Sequence, residues 1–212
     1  MKITKHEHAT LRLEDRGETL LIDPGNLTAP LTDVTNLVGI VLTHEHADHW
    51  DARHLSALLD AFPGTPIFAP SGVVHAASDF DIIEVSPGDR MQAGGFALRF
   101  FGGVHIRIHS SIPLIDNVGV LVDERFYYPG DSYALPDDVA VEVLAAPAGG
   151  PWLRIGDAID FVLAVAPRHA FGTHDRGLSD VGLNIHRPRL AWATEQGGGT
   201  FHPLDPGDTL EI

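Results

Sequence analysis

The chain contains no cysteine. Disulfides, thiolate zinc sites and cysteine nucleophiles are therefore excluded together. Positive charge is scarce too: 14 Lys and Arg stand against 29 Asp and Glu, a formal net charge of −15. Proteins that grip nucleic acid draw most of their affinity from clustered Lys and Arg, so no nucleic-acid partner is expected. No apolar run approaches the roughly 20 residues of a membrane helix. The start, Met1 to His8, lacks the apolar centre of a signal peptide. No membrane partner is expected, and the cytoplasm is the default location.

What is present points toward a metal. A hydrophobic fraction of 44% with 20% charged residues, over 212 residues, can bury a sizeable core and excludes global disorder. There are 13 histidines, nearly as many as all Lys and Arg combined. Imidazole is the commonest protein metal ligand, and an Asp- and His-rich chain without Cys suits a divalent cation. Bound metal would also offset part of the negative charge.

Periodicity supplies the elements. Thr10–Glu14 alternates apolar and polar residues, and with Glu18–Ile22 it forms a predicted hairpin turning at Asp15-Arg16-Gly17. Val38–Leu42 is a continuous apolar run of the kind buried on both faces. The stripe Leu55, Leu58, Leu59, Phe62 predicts a helix over Asp51–Phe62, closed by Pro63-Gly64. Strand, helix and strand follow at Pro66–Ala69, Gly72–Ala77 and Asp81–Val85. Met91-Gln92 and Phe96–Phe101 then pair, as do Val118–Val122 and Arg125–Tyr128. Val141–Ala145 and Arg168–Gly172 read as strands around a helix over Asp157–Val165. A last helix starts near Ser179, ends at Gly197-Gly198-Gly199, and should break or kink at Pro188. No linker or composition shift divides the chain, so one domain over residues 1–212 is expected. Hairpins mixed with βα units suggest an α+β sandwich of two sheets covered by helices. Pro87-Gly88-Asp89 and Pro206-Gly207-Asp208 both introduce short strands, a faint echo between the halves.

The densest chemistry is His44-x-His46-x-Asp48-His49, which comes straight off the end of the buried Val38–Leu42 run. In an extended exit, His44 and His46 point to one side, and Asp48 and His49 lie where the chain turns into the next helix. Beside a core, such a cluster is costly unless a metal or hydrogen bonds satisfy it. The competing reading is a solvated polar loop, which rarely sets three imidazoles and a carboxylate at the mouth of an apolar strand. His105 after Gly102-Gly103-Val104, Asp131 after Pro129-Gly130, and His174 after Thr173 share a strand-end placement. Each alone is more often a hydrogen-bonded core or surface residue. They converge only if the fold brings the strand ends to one edge.

The motif His44-Glu45-His46-Ala47-Asp48-His49 resembles the HxHxDH signature of the metallo-β-lactamase superfamily. Leu21-Ile22-Asp23-Pro24-Gly25, His105, Tyr128-Pro129-Gly130-Asp131-Ser132 and His174 follow the family's order of landmarks. Ile3–Gly25, Gly103–Pro113 and Pro151-Trp152 resemble its small stand-alone metal-dependent hydrolases, which are similar to the ascorbate-6-phosphate lactonase-like branch. The resemblance implies a four-layer αββα sandwich with two divalent ions at one edge, Zn first and Mn or Fe also fitting the donors. It implies that His44, His46 and His105 hold one ion and Asp48, His49 and His174 the other, with Asp131 bridging. Asp23 would orient a ligand histidine, against the plainer reading of a turn-forming Asp before Pro24.

The activity this implies is hydrolysis of an ester, lactone, amide or phosphoester of a small molecule by a metal-bridging hydroxide. Asp48 is the candidate to orient it or shuttle a proton. The alternatives are a non-catalytic metal- or ligand-binding module and a mononuclear iron oxidoreductase. His8, His109 and His169 remain open, His169 being the rival of His174 as last ligand. His6, His54, His75, His186 and His202 are assigned to surface or packing. Gly25–Thr35, Ile106–Asn117 and Gly149–Arg154 are expected to wall the pocket, with Leu31, Ile112, Leu114 and Trp152 offering apolar contact. Arg107 and Arg154 there could meet an anion.

Overall fold

Short apolar strands joined by tight turns and helical stripes leave each strand with two faces to cover. In the computed structural model, which describes residues 1–212, they do so by stacking two seven-stranded sheets. The strands of the first sheet are β1 (Lys2–Lys5), β2 (Leu11–Asp15), β3 (Glu18–Ile22), β4 (Leu37–Val41), β5 (Ile67–Ala69) and β6 (Ile82–Glu84). The second contains β7 (Arg90–Ala93), β8 (Phe96–Val104), β9 (Asp116–Val122), β10 (Phe126–Tyr128), β11 (Val143–Pro147), β12 (His169–Thr173) and β13 (Thr200–Phe201). The last strand, β14 (Thr209–Glu211), returns to the edge of the first sheet, beside β1. The spatial orders are β14-β1-β2-β3-β4-β5-β6 and β13-β12-β11-β10-β9-β8-β7.

Alternation along the strands sends one set of side chains between the sheets and the other outward. Leu13, Leu20, Ile22 and Phe68 of the first sheet meet Phe100, Val120, Tyr128 and Phe171 of the second in one buried cluster. On the outer face of the first sheet, Leu21, Ile40 and Leu42 pack under Leu55 and Leu58 of α1 (Ala52–Ala61) and Val73 of α2 (Ser71–Ala76). On the outer face of the second, Leu121, Tyr127 and Leu144 are covered by Phe161 and Val162 of α3 (Ile155–Val165) and Leu190 of α4 (Asp180–Gln196). The layers run α, β, β, α, the sandwich that the resemblance implied.

Capping sets the helix starts. Asp51 accepts from the backbone of Arg53 and His54 at the head of α1, and Ser179 accepts from Gly182 at the head of α4. One expectation fails: α4 runs unbroken through Pro188 to Gln196. Proline removes one helical donor, but this stretch is held from outside. Arg187 donates to Leu204 O and to Asp205, while Leu190 is buried against the sheet. Strand β1, which the alternation reading passes over, pairs with both β2 and β14.

Candidate metal centre

Polar side chains gather where the strands of both sheets end. Asp23 follows β3, His44 to His49 follow β4, His105 follows β8, Asp131 follows β10 and His174 follows β12. The backbone is bent to aim them. His8, Asp23, Gly130 and His174 all have positive φ, at 60°, 49°, 62° and 56°. Three of these are not glycine, and such conformations persist only where the surroundings over-determine them. His174 N–H donates to His8 O at 2.8 Å, tying two of the bent segments together.

The His44–His49 segment is seated by the loop after β3. Thr43 gives its N–H to Asp23 Oδ1 (2.8 Å) and its hydroxyl to Asp23 Oδ2 (2.7 Å). Asn26 N–H donates to Ala47 O, and the backbone of Gly25 lies flat on Asp48. A Cβ at Gly25 would fall 1.8 Å from Asp48 O, so only glycine allows this approach.

All the sequence-nominated ligands are brought together in two groups. The ligating atoms of His44, His46, His105 and Asp131 lie within 4.8 Å of one another, and so do those of Asp48, His49 and His174 with His8. Asp131 faces both groups. Its Oδ1 is 3.3 Å from His49 Nε2, and its Oδ2 is 3.3 Å from His105 Nε2 and 3.1 Å from His174 Nε2. Trp152 Nε1 donates to the same Oδ2 at 2.8 Å.

Outer hydrogen bonds choose which ring nitrogen points inward. His49 Nδ1 lies 2.6 Å from Asp23 Oδ2, and His105 Nδ1 bonds Ile106 O, which leaves Nε2 of each aimed at the centre. The buried Nε2 of His49, His105 and His174, and Oδ1 of Asp131, have no hydrogen-bond partner in the protein. An unmet buried polar atom costs about 1–3 kcal/mol, so several converging on one place mark a position for a ligand they share. Imidazole nitrogens with carboxylate oxygens form a donor set for divalent cations such as Zn, Mn or Fe.

Charge is divided unevenly in this cup. Burial pushes His44 well below the ordinary imidazole value, with His49 adding to the effect. Burial also lowers His46 and His8. For His49 burial acts downward, but the carboxylates of Asp131 and Asp23 outweigh it and hold the ring well above its usual value. His174 is likewise pushed up to about 9, Asp131 overriding burial. Asp131 and Asp48 are held below the carboxylate range by surrounding imidazoles despite burial. The carboxylates thus support the charged forms of His49 and His174, while burial favours the neutral, metal-binding form of His44, His46 and His8.

The open histidines and the expected pocket residues fall in different places. His169 pairs with His202 at 3.1 Å, at the start of β12 and away from the cup. His109 is exposed and bonds Ser111. Leu31 lines a separate hollow against α1 with His54 and Leu58. Arg154 is exposed beside Asp157, 3.8 Å away, and Arg107 is exposed, so neither is built into the cup as an anion partner. Trp152 is 6% exposed and serves as a donor to Asp131 more than as an apolar wall. His8, left open by the sequence, stands inside: its Nε2 is 2.9 Å from Asp48 Oδ2 and its ring centroid 3.9 Å from that of His174. Its sequence signals are the resemblance to a histidine near the start of the small stand-alone hydrolases and its place past β1, which parallels that of His105 past β8.

Comparison with known proteins shows the family. A family model described as the beta-lactamase superfamily domain matches residues 2–174, a span that includes both ligand groups. Protein Rv0786c of Mycobacterium tuberculosis is 33% identical over 200 residues, which cover 92% of this chain and 93% of that one. A UPF0173 metal-dependent hydrolase of a Chelativorans species is 30% identical over 190 residues, 78% of this chain and 77% of its own. Igni18, a metallo hydrolase from the archaeon Ignicoccus hospitalis, superposes with a TM-score of 0.73 at 18% identity, over 100% of this chain and 98% of that one. At that identity the likeness speaks for the fold alone.

Proposed function

The chain belongs to the beta-lactamase superfamily, and from that membership we propose that it is a metal-dependent hydrolase working on a small molecule with two divalent cations. The observation that carries this reading is the set of inward-facing, partnerless atoms: Nε2 of His49, His105 and His174 and Oδ1 of Asp131. His44, His46 and His105 would hold one cation, and Asp48, His49 and His174 the other. Asp131, with an oxygen toward each group, would span them. Zinc is the first choice, and manganese or iron fit the same donors. A small-molecule substrate in the cytoplasm suits the net charge of −15. No helix of the chain is long and apolar enough to cross a membrane.

Held by these residues, two divalent cations would supply an acidic water near neutral pH and Lewis acidity toward the electrophilic oxygen. The protein's part is to position and to hold protons. Asp48 is partly exposed and reaches the cup from the solvent side, so it orients the attacking water and takes up its proton at a carboxylate oxygen. His8 steadies Asp48 through Nε2, and His174 packs against the His8 ring. Asp23 fixes the tautomer of His49, and Trp152 fixes the rotamer of Asp131. The bond broken is that of an ester, lactone, amide or phosphoester.

Metal analysis combined with an ester, lactone and phosphodiester panel tests this reading. Two equivalents of metal, with turnover lost in both His46→Ala and Asp48→Ala, are the expected result. A single iron with oxygen uptake would replace it with an oxidoreductase. Metal without turnover on any member of the panel would leave a binding module.

A further inference from the structure

We infer that the pocket beside the first ligand group receives an uncharged acyl or alkyl group of the substrate and discriminates against charged ones. This rests on the hydrolase reading above and deepens it. The pocket has a volume of about 210 Å³ and shares His46 and His105 with the ligand group. An occupant would therefore have its other end at the reacting centre. Ile108, Ile112 and Leu114 form much of the wall, and the one charged lining side chain is Glu45. No Lys or Arg lines it. Arg107 sits between two isoleucines of the same segment but is exposed and outside the lining.

These walls decide between substrate classes. A phosphate or carboxylate pushed into the part of the pocket away from His46 and His105 would lose water, find no Lys or Arg, and meet the Glu45 carboxylate. An apolar chain would instead cover Ile112 and Leu114, which are 42% and 46% exposed. Size narrows the group further. An apolar cavity of about 150 Å³ accepts benzene, so this pocket takes roughly a butyl to hexyl chain or one small ring. Whole drug-sized ligands need about 300–1,000 Å³, so it reads one substituent rather than the entire molecule. Glu45 alone could favour a cationic group, but the remaining wall gives an ammonium nothing to replace its hydration.

The test uses the metal-loaded full chain and p-nitrophenyl esters: acetate, butyrate, hexanoate, the anionic hemisuccinate and the cationic 4-aminobutyrate. The expected kcat/KM rises about two- to fourfold per added methylene. Hemisuccinate and 4-aminobutyrate should each fall at least about tenfold below butyrate. Leu114→Asp, at a half-exposed position, should flatten the chain-length series, and Glu45→Gln should raise hemisuccinate relative to butyrate. A charged ester matching or exceeding butyrate overturns the inference. If no ester is turned over, the ester-hydrolase reading fails separately and the pocket is read by calorimetry. Hexanamide binding at least about tenfold more tightly than adipamate would then sustain the inference, and equal or reversed affinities would overturn it.

Discussion

In the first sheet β14, β1, β2 and β3 pair antiparallel, and β3, β4, β5 and β6 continue in parallel. The second repeats this arrangement with β7 to β10 and then β10 to β13. Helices fall at the same places, α1 and α3 after β4 and β11, α2 and α4 after β5 and β12. Yet the halves supply the centre differently. The first delivers a dense run after β4, with His8 and Asp23 beside it. The second delivers single residues, His105, Asp131 and His174, from separate strand ends. Equivalent scaffolds thus carry unequal chemistry: Asp23 after β3 holds a histidine by its outer nitrogen, while Asp131 after β10 faces inward to both groups.

The contrast breaks most visibly at that carboxylate pair. Asp131→Asn keeps the volume but removes the charge shared by the two groups. Metal content should fall from two equivalents toward zero, and turnover should drop beyond the roughly 100-fold ceiling for outer partners. Mass spectrometry of metals and an ester assay on the same sample measure both. Retention of two metals and near-normal turnover would show that the spanning role belongs elsewhere.

The halves also differ in how much the sequence discloses. A run such as His44–His49 is legible because its ligands are neighbours in the chain, and the apolar strand before it fixes where they emerge. His105, Asp131 and His174 are single polar residues, and only the parallel and antiparallel pairing of four strands makes them neighbours. Their reading depended on resemblance rather than spacing. His8 needed the same pairing plus a left-handed bend that no local pattern announces. Whether Arg107 faces the pocket or the surface stayed open in the sequence, because composition cannot say which side of a loop a side chain takes. Pro188 was misjudged because its neighbours are anchored through residues distant in sequence.

A second prediction sharpens the match between His105 and His8, each just past an edge-side strand of its sheet. His105→Ala should leave about one equivalent of metal, with the His49 group still loaded. His8→Asn, chosen because asparagine tolerates the left-handed backbone, should retain two equivalents but weaken one of them by about 10- to 100-fold. Competition with a chromogenic chelator reads both. Equal loss in the two variants would make His8 a ligand of the same standing as His105, and an unaltered affinity in His8→Asn would remove it from the centre.

Asp23→Asn probes the outward-holding half of the carboxylate pair. Asparagine has one acceptor oxygen where Asp23 uses two, so if it accepts from Thr43 N–H it turns its NH2 toward His49 Nδ1 and the ring loses its outer acceptor. Both metals should remain, with affinity lowered by about tenfold, the lower end for an outer partner. Chelator competition against the Asp131→Asn protein gives the ranking directly. A larger loss at Asp23 than at Asp131 would invert the roles drawn for the two halves.

The smallest expected effect tests the repeat where no chemistry intrudes. Ahead of β7, Ser86 N–H bonds the Asp89 side chain at 2.8 Å, and Gly88 N–H donates to Phe100 O at 2.8 Å. Ahead of β14, Asp205 N–H bonds the Asp208 side chain at 2.9 Å, and Gly207 N–H donates to Lys5 O at 2.7 Å. The two glycines have φ of 96° and 95°, and a Cβ on either would meet nothing within 4 Å. Backbone strain is thus the only cost of Gly88→Ala or Gly207→Ala, about 1–2 kcal/mol in each. In a chain of this size each kcal/mol is worth roughly 2–4 °C of Tm. Calorimetry should find the two shifts equal within about 0.5 kcal/mol and additive in the double variant, since the turns lie at the edges of different sheets. A cost confined to one turn would show that the echo between Pro87-Gly88-Asp89 and Pro206-Gly207-Asp208 stops at shape.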